Sequence, residues 1–126
     1  MMNQKKYQNI IQSSNTERYE YLVRKVADFE TIYLIYGRFW QISTFNINGT
    51  ECILVFPEKD FAEQHIKLEE SKSVKKKGLN KFIHWLEKDK SNKLNLAVFP
   101  NRQNEVKIVN ASEFKNDLLK ECEQYE

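Results

Sequence analysis

The sequence predicts an α+β domain in which a mainly antiparallel sheet, a three-stranded meander plus a hairpin, packs against about four helices. Segments with apolar residues every three or four positions alternate with short β-branched and aromatic runs. The 126 residues are 40% apolar and 13% aromatic, with only three Gly and two Pro. This composition supports one packed core. We therefore expect a single domain over residues 16–126, after a polar lead-in at residues 1–15.

The first long helix is predicted over residues 16–29. Ser14 and Glu17 have the spacing of a capping box, in which each side chain accepts a hydrogen bond from an amide of the first turn. An apolar stripe follows at i, i+3, i+4 and i+7, formed by Tyr19, Leu22, Val23 and Val26. The stripe predicts that one face of this helix packs on the sheet.

Three strands are predicted next, at residues 31–36, 40–46 and 51–56. The first is a β-branched and aromatic run that ends at Gly37, and the second alternates with period two. Asn48-Gly49 is a turn signal ahead of the third strand. Because the connections are short, we expect these strands to form the three-stranded antiparallel meander.

The second half of the chain predicts three more helices and a hairpin. The helices occupy residues 57–69, 79–89 and 111–123, and the hairpin strands occupy residues 94–99 and 105–109. Pro57 suits the first position of a helix, where its missing amide hydrogen has no cost. Asn110 and Glu113 repeat the capping spacing at the last helix. Residues 71–77 fit either a short strand around Val74 or a lysine-rich loop.

The cysteines and the N-terminus indicate the cellular compartment in which we expect the protein. Cys52 and Cys122 are the only two cysteines, and a single pair in a chain with a competent core does not make a disulfide framework. No apolar segment follows the basic residues at the N-terminus, and no window of about 18 apolar residues occurs. We therefore expect a cytoplasmic protein with reduced thiols and no membrane partner.

A series of short sequence words runs in order along the chain from about residue 16 to residue 126. They are RYEY at 18–21, KVAD at 25–28, YLIY at 33–36, Trp40, FP at 56–57, FA at 61–62, Phe82 with WL at 85–86, AVFP at 97–100 and YE at 125–126. In this order they resemble the bacterial family catalogued as domain of unknown function 2750. The resemblance implies a compact α+β fold without an assigned activity. The chain departs from the family in the lysine-rich stretch 72–78 and at Phe56, where Trp is commoner.

No catalytic or metal-binding constellation is recognisable. His65 and His84 are the only two imidazoles, and neither has a second ligand at metal spacing. The serines lack the context of an activated nucleophile, and the glycines are scattered. We therefore predict no catalytic residue, no cofactor and no metal. The alternative is a small-ligand-binding protein or enzyme that uses a pocket near His84 or His65, with the imidazole as acid or base.

The charge distribution suggests a first candidate surface. The net charge of +2 is too balanced to indicate a nucleic-acid or membrane partner. Residues 72–93, however, contain eight lysines and two acids, whereas residues 110–126 contain two lysines and five acids. Lys75, Lys76 and Lys77 could meet phosphates or an acidic protein. No aromatic residues alternate with them, and such lysines also protect an exposed edge strand from aggregation.

Tyr36, Arg38 and Trp40 form a second candidate surface. Aromatic residues with an arginine near a strand boundary are typical of protein–protein hot spots, although a tryptophan is also a common core residue. The hypothesis that fits these features is a non-catalytic interaction module of the accessory or immunity type, with an unidentified protein partner. A weak nucleic-acid binder through residues 72–81 is a further alternative.

Overall fold

The computed structural model describes residues 4–37, 41–47, 49–66, 72–88, 94–101, 103 and 105–123, and these form five helices and six strands. The helices are α1 (Gln4–Ile11), α2 (Asn15–Phe29), α3 (Lys59–Ile66), α4 (Leu79–Glu87) and α5 (Ala111–Cys122). The strands are β1 (Thr31–Tyr36), β2 (Phe45–Ile47), β3 (Thr50–Phe56), β4 (Ser73–Gly78), β5 (Asn95–Val98) and β6 (Ile108–Asn110). The predicted α+β class is confirmed.

The six strands form one mixed sheet in the order β4-β1-β3-β5-β6, and β2 pairs with β3 off this path. The pairs are antiparallel except for β3 and β5, which run parallel. The sheet is therefore mainly antiparallel, as predicted, and β5 and β6 pair as the expected hairpin. The parallel pair was not predicted, because nothing in the two short runs specifies that they are neighbours.

The predicted three-stranded meander is wrong in its order. β1 and β3 pair directly at one end of the sheet. Farther along, Tyr36 of β1 bridges Ile42, and Phe45 of β2 pairs with Cys52 of β3. The segment 42–47 therefore enters between β1 and β3 only where these two strands diverge. Period-two alternation indicates the face on which a side chain lies but not which strand is the neighbour, so it could not predict this placement of residues 42–47.

The lysine-rich stretch forms a strand, which decides between the two interpretations that the sequence left open. β4 pairs with β1 along its whole length, from Ser73 opposite Tyr36 to Gly78 opposite Thr31. It is the last strand at one edge of the sheet. The lysines of β4 therefore line an outer edge.

α2 and α5 start where their capping signals predict, whereas α3 begins at Lys59, so the prediction that Pro57 takes the first helical position is wrong. Ser14 and Glu17 form the reciprocal capping box of α2, and the Asn110 side chain accepts a hydrogen bond from the Glu113 amide at the start of α5. α3 ends within the predicted range at Ile66, and predicted positions 67–69 lie outside the described residues. The lead-in contributes α1, whose Ile11 is buried. Within the described residues, no helix has the length and apolar character needed to cross a membrane.

The core lies on both faces of the central strand. Residues 52–56 of β3 are all at most 3% exposed, so other elements cover both sides of the strand at its C-terminal half. Phe114 of α5 packs edge-on against Phe82 of α4, with ring centroids 6.1 Å apart. α4 and α5 therefore contact each other as well as the sheet.

Arg18 of α2 is a buried charged residue, only 1% exposed. Its Nε donates to the carbonyl oxygen of Phe99 at 3.1 Å, and its Nη atoms donate to the carbonyls of Ser13 at 2.5 Å and Glu105 at 2.8 Å. A further Nη hydrogen bond goes to the Asn15 side chain. One guanidinium therefore joins the α1–α2 connection to the loop between β5 and β6.

Candidate functional site

The outer edge of β4 presents the predicted lysine cluster. Residues directly opposite each other in a sheet lie on the same face, so Lys75 and Lys77 share the face of Leu34 and Ile32, and Lys76 lies on the other. Lys76 is exposed, whereas Lys75 and Lys77 are half-buried. No described strand pairs with the outer side of β4. We call this strand with its three lysines the β4 edge.

Aromatic side chains from other elements lie beside the lysines, which the linear sequence did not reveal. The Lys77 ammonium lies 5.9 Å from the ring centroid of Trp85 on α4. The Lys72 ammonium lies 5.1 Å from the ring of Phe45 and donates to Ser43 Oγ at 3.1 Å. The lysine stems therefore cover apolar surface while their charged ends lie near the edge of the sheet.

The second predicted surface is only partly described. Tyr36 is half-buried at the end of β1, where it lies opposite Ser73 of β4. Arg38 and Trp40 lie outside the described residues. The structure therefore brings Tyr36 next to the first residue of the β4 edge, although the two candidate surfaces are far apart in the sequence.

A cavity of about 210 Å³ lies at the carboxyl ends of β3 and β5, between α1 and α3. Four of its nine lining residues are Phe or Tyr, and its polar residues include Gln64 and His65, both exposed. The aromatic lining residues are Tyr7, Phe56, Phe61 and Phe99. We call this space the β3/β5 cavity.

The two histidines have different surroundings. His65 lines the β3/β5 cavity, with its ring centroid 5.8 Å from that of Phe56. His84 is exposed on α4 and lines neither this cavity nor the groove described next. Of the two imidazoles that the sequence offered, His65 is thus the one that lines this cavity.

A wider groove of about 530 Å³ lies beside α2 and α5. The Tyr19 hydroxyl donates to the Asp117 carboxylate, and the Lys107 ammonium lies 4.6 Å from the Tyr19 ring centroid. Burial, and then the hydrogen bond to Asp117, raises the pKa of Tyr19. The lining includes three basic and three acidic residues. This mixture favours no single charge of ligand.

The thiols and carboxylates indicate little chemistry of their own. Burial, and then nearby Glu51, raises the pKa of the Cys52 thiol, which disfavours the reactive thiolate. Cys122 is half-buried on α5. Within the described ranges, no three His, Cys, Asp or Glu side chains come together in an arrangement that could hold a metal ion.

Residues 19–118, well over half of the chain, match the family described as "Protein of unknown function (DUF2750)". The chain belongs to this family. The resemblance found from the sequence words is therefore confirmed. No curated protein and no solved structure matches this DUF2750 chain.

The family match encloses most of both candidate sites of this DUF2750 protein. The β4 edge lies entirely within residues 19–118, as do the cavity residues from β3, from α3 and from the segment after β5. Tyr7 and Ile11, which line the cavity from α1, precede the matched residues. The sequence indicated the lysines and His65, but not the cavity, because its walls come from four separate segments.

Proposed function

We propose that this DUF2750 protein is a non-catalytic binding module that captures an acidic, extended segment of a partner protein on its β4 edge. One observation carries the proposal: three consecutive lysines lie on a terminal strand whose outer side pairs with no described strand. Addition of a strand to a sheet edge is a common mode of peptide recognition, in which main-chain hydrogen bonds supply affinity. The lysines then make this edge selective for partner segments with acidic side chains.

The arrangement of the lysines suits successive acids on the partner strand. Lys75 and Lys77 share one face and Lys76 lies on the other, and the side chains of an added strand alternate in the same way. Each opposite-charge pair across strands contributes roughly 0.2–1 kcal/mol. The charges should therefore act mainly on selectivity and association rate, while the main chain supplies most of the affinity.

The same lysines favour a different protein over a second copy of this chain. Two β4 edges placed side by side would oppose like charges, which destabilises the pairing. An acidic partner strand removes this repulsion. The accessory or immunity type of protein works in this way, by presenting a surface to another protein.

We also propose a cytoplasmic location in a bacterium. The supporting feature is the thiol of Cys52, which is buried in β3. Reducing compartments keep such thiols from oxidising.

The proposal is tested with the triple variant Lys75→Glu, Lys76→Glu and Lys77→Glu. The probe is a short fluorescent peptide of β-branched residues with three consecutive glutamates, and its counterpart has lysines instead. Wild type should bind the glutamate peptide. The triple variant should no longer bind the glutamate peptide and should bind the lysine peptide instead. The matched control reverses the charge of three lysines that are exposed elsewhere, through Lys5→Glu, Lys88→Glu and Lys120→Glu. This control variant should still bind the glutamate peptide.

Three results would contradict the proposal. An equal loss of binding in the control variant would make the effect one of net charge. Equal binding of a glutamate peptide methylated on its backbone nitrogens would exclude strand addition. Binding of arbitrary DNA to wild type with a log–log salt slope of about −3, and its loss in the triple variant, would indicate phosphate binding instead.

A further inference from the structure

The backbone of β4 turns only every second residue to the outer side of the sheet. In an antiparallel ladder, hydrogen-bonded and non-hydrogen-bonded pairs alternate, so the amide and carbonyl of one residue point together to the same side. The amide of Leu79 donates to the carbonyl of Glu30 at 2.8 Å. This pair follows directly after Thr31 opposite Gly78 in the β1–β4 register. Gly78 therefore directs its backbone groups away from β1.

A second hydrogen bond, at the other end of β4, gives the same alternation. The amide of Ser43 donates to the carbonyl of Ile35 at 2.9 Å, so the Ile35 carbonyl points away from β4. Val74 lies opposite Ile35, and it therefore directs its own amide and carbonyl to the outer side of the sheet. Lys76, two positions along the same strand, does the same.

The start of α4 limits this outer side. Gly78 is the N-cap of α4, and the carbonyl of an N-cap residue accepts the first hydrogen bond within the helix. Gly78 therefore offers a partner only its amide. The outer side of the β4 edge thus consists of the amides and carbonyls of Val74 and Lys76 and the amide of Gly78, and no described strand pairs with them.

The side chains of the same two residues differ in character. Val74 and Lys76 lie on one face of the sheet, where Val74 is half-buried and packs against the core and Lys76 is exposed. An added antiparallel strand, which is the more stable kind per residue, places one of its residues directly opposite each of them. An acid opposite Lys76 and a β-branched apolar residue opposite Val74 then form favourable cross-strand pairs.

We propose that the β4 edge recognises a directional motif, in which an acid is followed two positions later by a β-branched apolar residue. The partner segment runs antiparallel to β4, from Gly78 towards Ser73, so its acid meets Lys76 before its apolar residue meets Val74. This inference rests on the proposed function of the β4 edge, and it adds the direction and the register of the partner.

Two fluorescent peptides of identical composition test the direction. Each has three glutamates and one valine between flanking threonines, with the valine directly after the glutamates in the first peptide and directly before them in the second. Only the first peptide has an acid two positions before the valine, so it should bind about threefold more tightly. Val74→Ala, which shortens the side chain and retains the amide, should reduce this difference.

Methylation of single backbone nitrogens in the first peptide tests the register without changing the protein. In the proposed register, the middle glutamate and the valine direct their amides to β4, and the third glutamate directs its amide away. A methyl group on the middle glutamate or on the valine should weaken binding about tenfold, because it removes a hydrogen bond to the edge. The same group on the third glutamate is the matched control and should have little effect.

Amide hydrogen exchange tests the register in the protein itself. The amides of Lys75 and Lys77 face β1 and should be protected in the free protein. The amides of Val74 and Lys76 should exchange rapidly in the free protein and become protected when the first peptide is bound. Slow exchange of these two amides without peptide would overturn the register.

A charge exchange locates the acid of the motif. Lys76→Glu should weaken binding of the first peptide, and lysine in place of its middle glutamate should restore binding to this variant. Lysine in place of the third glutamate, which lies on the other face, is the matched control and should not restore binding. Because Lys76 is exposed, the substitution should leave the melting temperature within a few degrees of wild type.

The results separate this inference from the proposed function. Equal binding of the two peptides, or tighter binding of the second, would overturn the motif and leave acidic strand addition in place. The same holds if methylation acts only at the third glutamate, or if lysine at the third position restores binding to Lys76→Glu. If neither peptide binds wild type, the proposed function fails, and this inference fails with it.

Discussion

Replacing Arg18 by Met should destabilise the fold more than any exposed substitution on the same helix. The guanidinium donates to Phe99, Ser13 and Glu105 carbonyls and to the Asn15 side chain. Methionine has a similar length and fills much of the space, so the variant removes these hydrogen bonds with little loss of volume. The substitution therefore isolates the polar role of Arg18.

The magnitude follows from the positions of the acceptors. The hydrogen bond to Phe99 is buried, and an orphaned buried carbonyl costs about 2 kcal/mol. The acceptors at Ser13, Asn15 and Glu105 are part-buried and regain water, so each lost hydrogen bond costs only about 1 kcal/mol. Burial lowers the pKa of Arg18, which reflects the cost of holding a charge there. Removing that charge returns roughly 2 kcal/mol.

The free energy of unfolding should thus fall by about 3 kcal/mol, and the melting temperature by roughly 12 °C for a chain of this size. Urea denaturation measures the first quantity and calorimetry the second. Arg24→Met, at an exposed position of α2, should change unfolding by less than about 0.5 kcal/mol. The reasoning is refuted if Arg18→Met is as stable as Arg24→Met, because the guanidinium would then add no net stability.

Three further predictions concern local features. Burial raises the pKa of both Tyr19 and Tyr21, so the folded chain keeps these phenols neutral while unfolded tyrosine ionises from a pKa of 10.0. Stability should be full below that pH and fall above it, and a Phe substitution at either position should reduce the fall in alkaline melting curves. Ser14→Ala should lose the capping box of α2 and about 1 kcal/mol in urea unfolding, with faster amide exchange in the first turn. Gly49→Ala should cost about 1 kcal/mol in the same assay because φ is +86°, whereas Gly78→Ala, with φ of −64°, should be neutral or stabilising.

The parts of the fold that the sequence predicted are those specified by neighbouring residues. The capping box at Ser14, the β-branched run of β1 and the start of α4 after Gly78 all depend on contacts within a few positions. The neighbours of each strand depend on packing between distant segments. For this reason, local patterns could not predict that residues 42–47 lie between β1 and β3. They could also not predict that β5 pairs parallel with β3.

The candidate sites were predictable to a similar degree. Lys75, Lys76 and Lys77 were evident as a charge run, but only strand order shows that they line an edge. His65 was one of two imidazoles with equal claims, and the cavity beside it comes from segments as distant as Tyr7 and Phe99. Arg18 carries no local signal of burial, because it is a charged residue outside the apolar stripe of α2. Its burial results from carbonyls that the tertiary fold brings to it.

The strand order interleaves the two halves of the chain. β1, β2 and β3 come from the first half, whereas β4 lies at one edge of the sheet and β5 and β6 lie at the other. β4 is therefore separated from the β5–β6 hairpin by strands of the first half. A chain cut between residues 66 and 72 should give two fragments that are each unstructured alone and regain the sheet when mixed. That outcome would make the molecule one cooperative unit in which neither half folds in advance of the other.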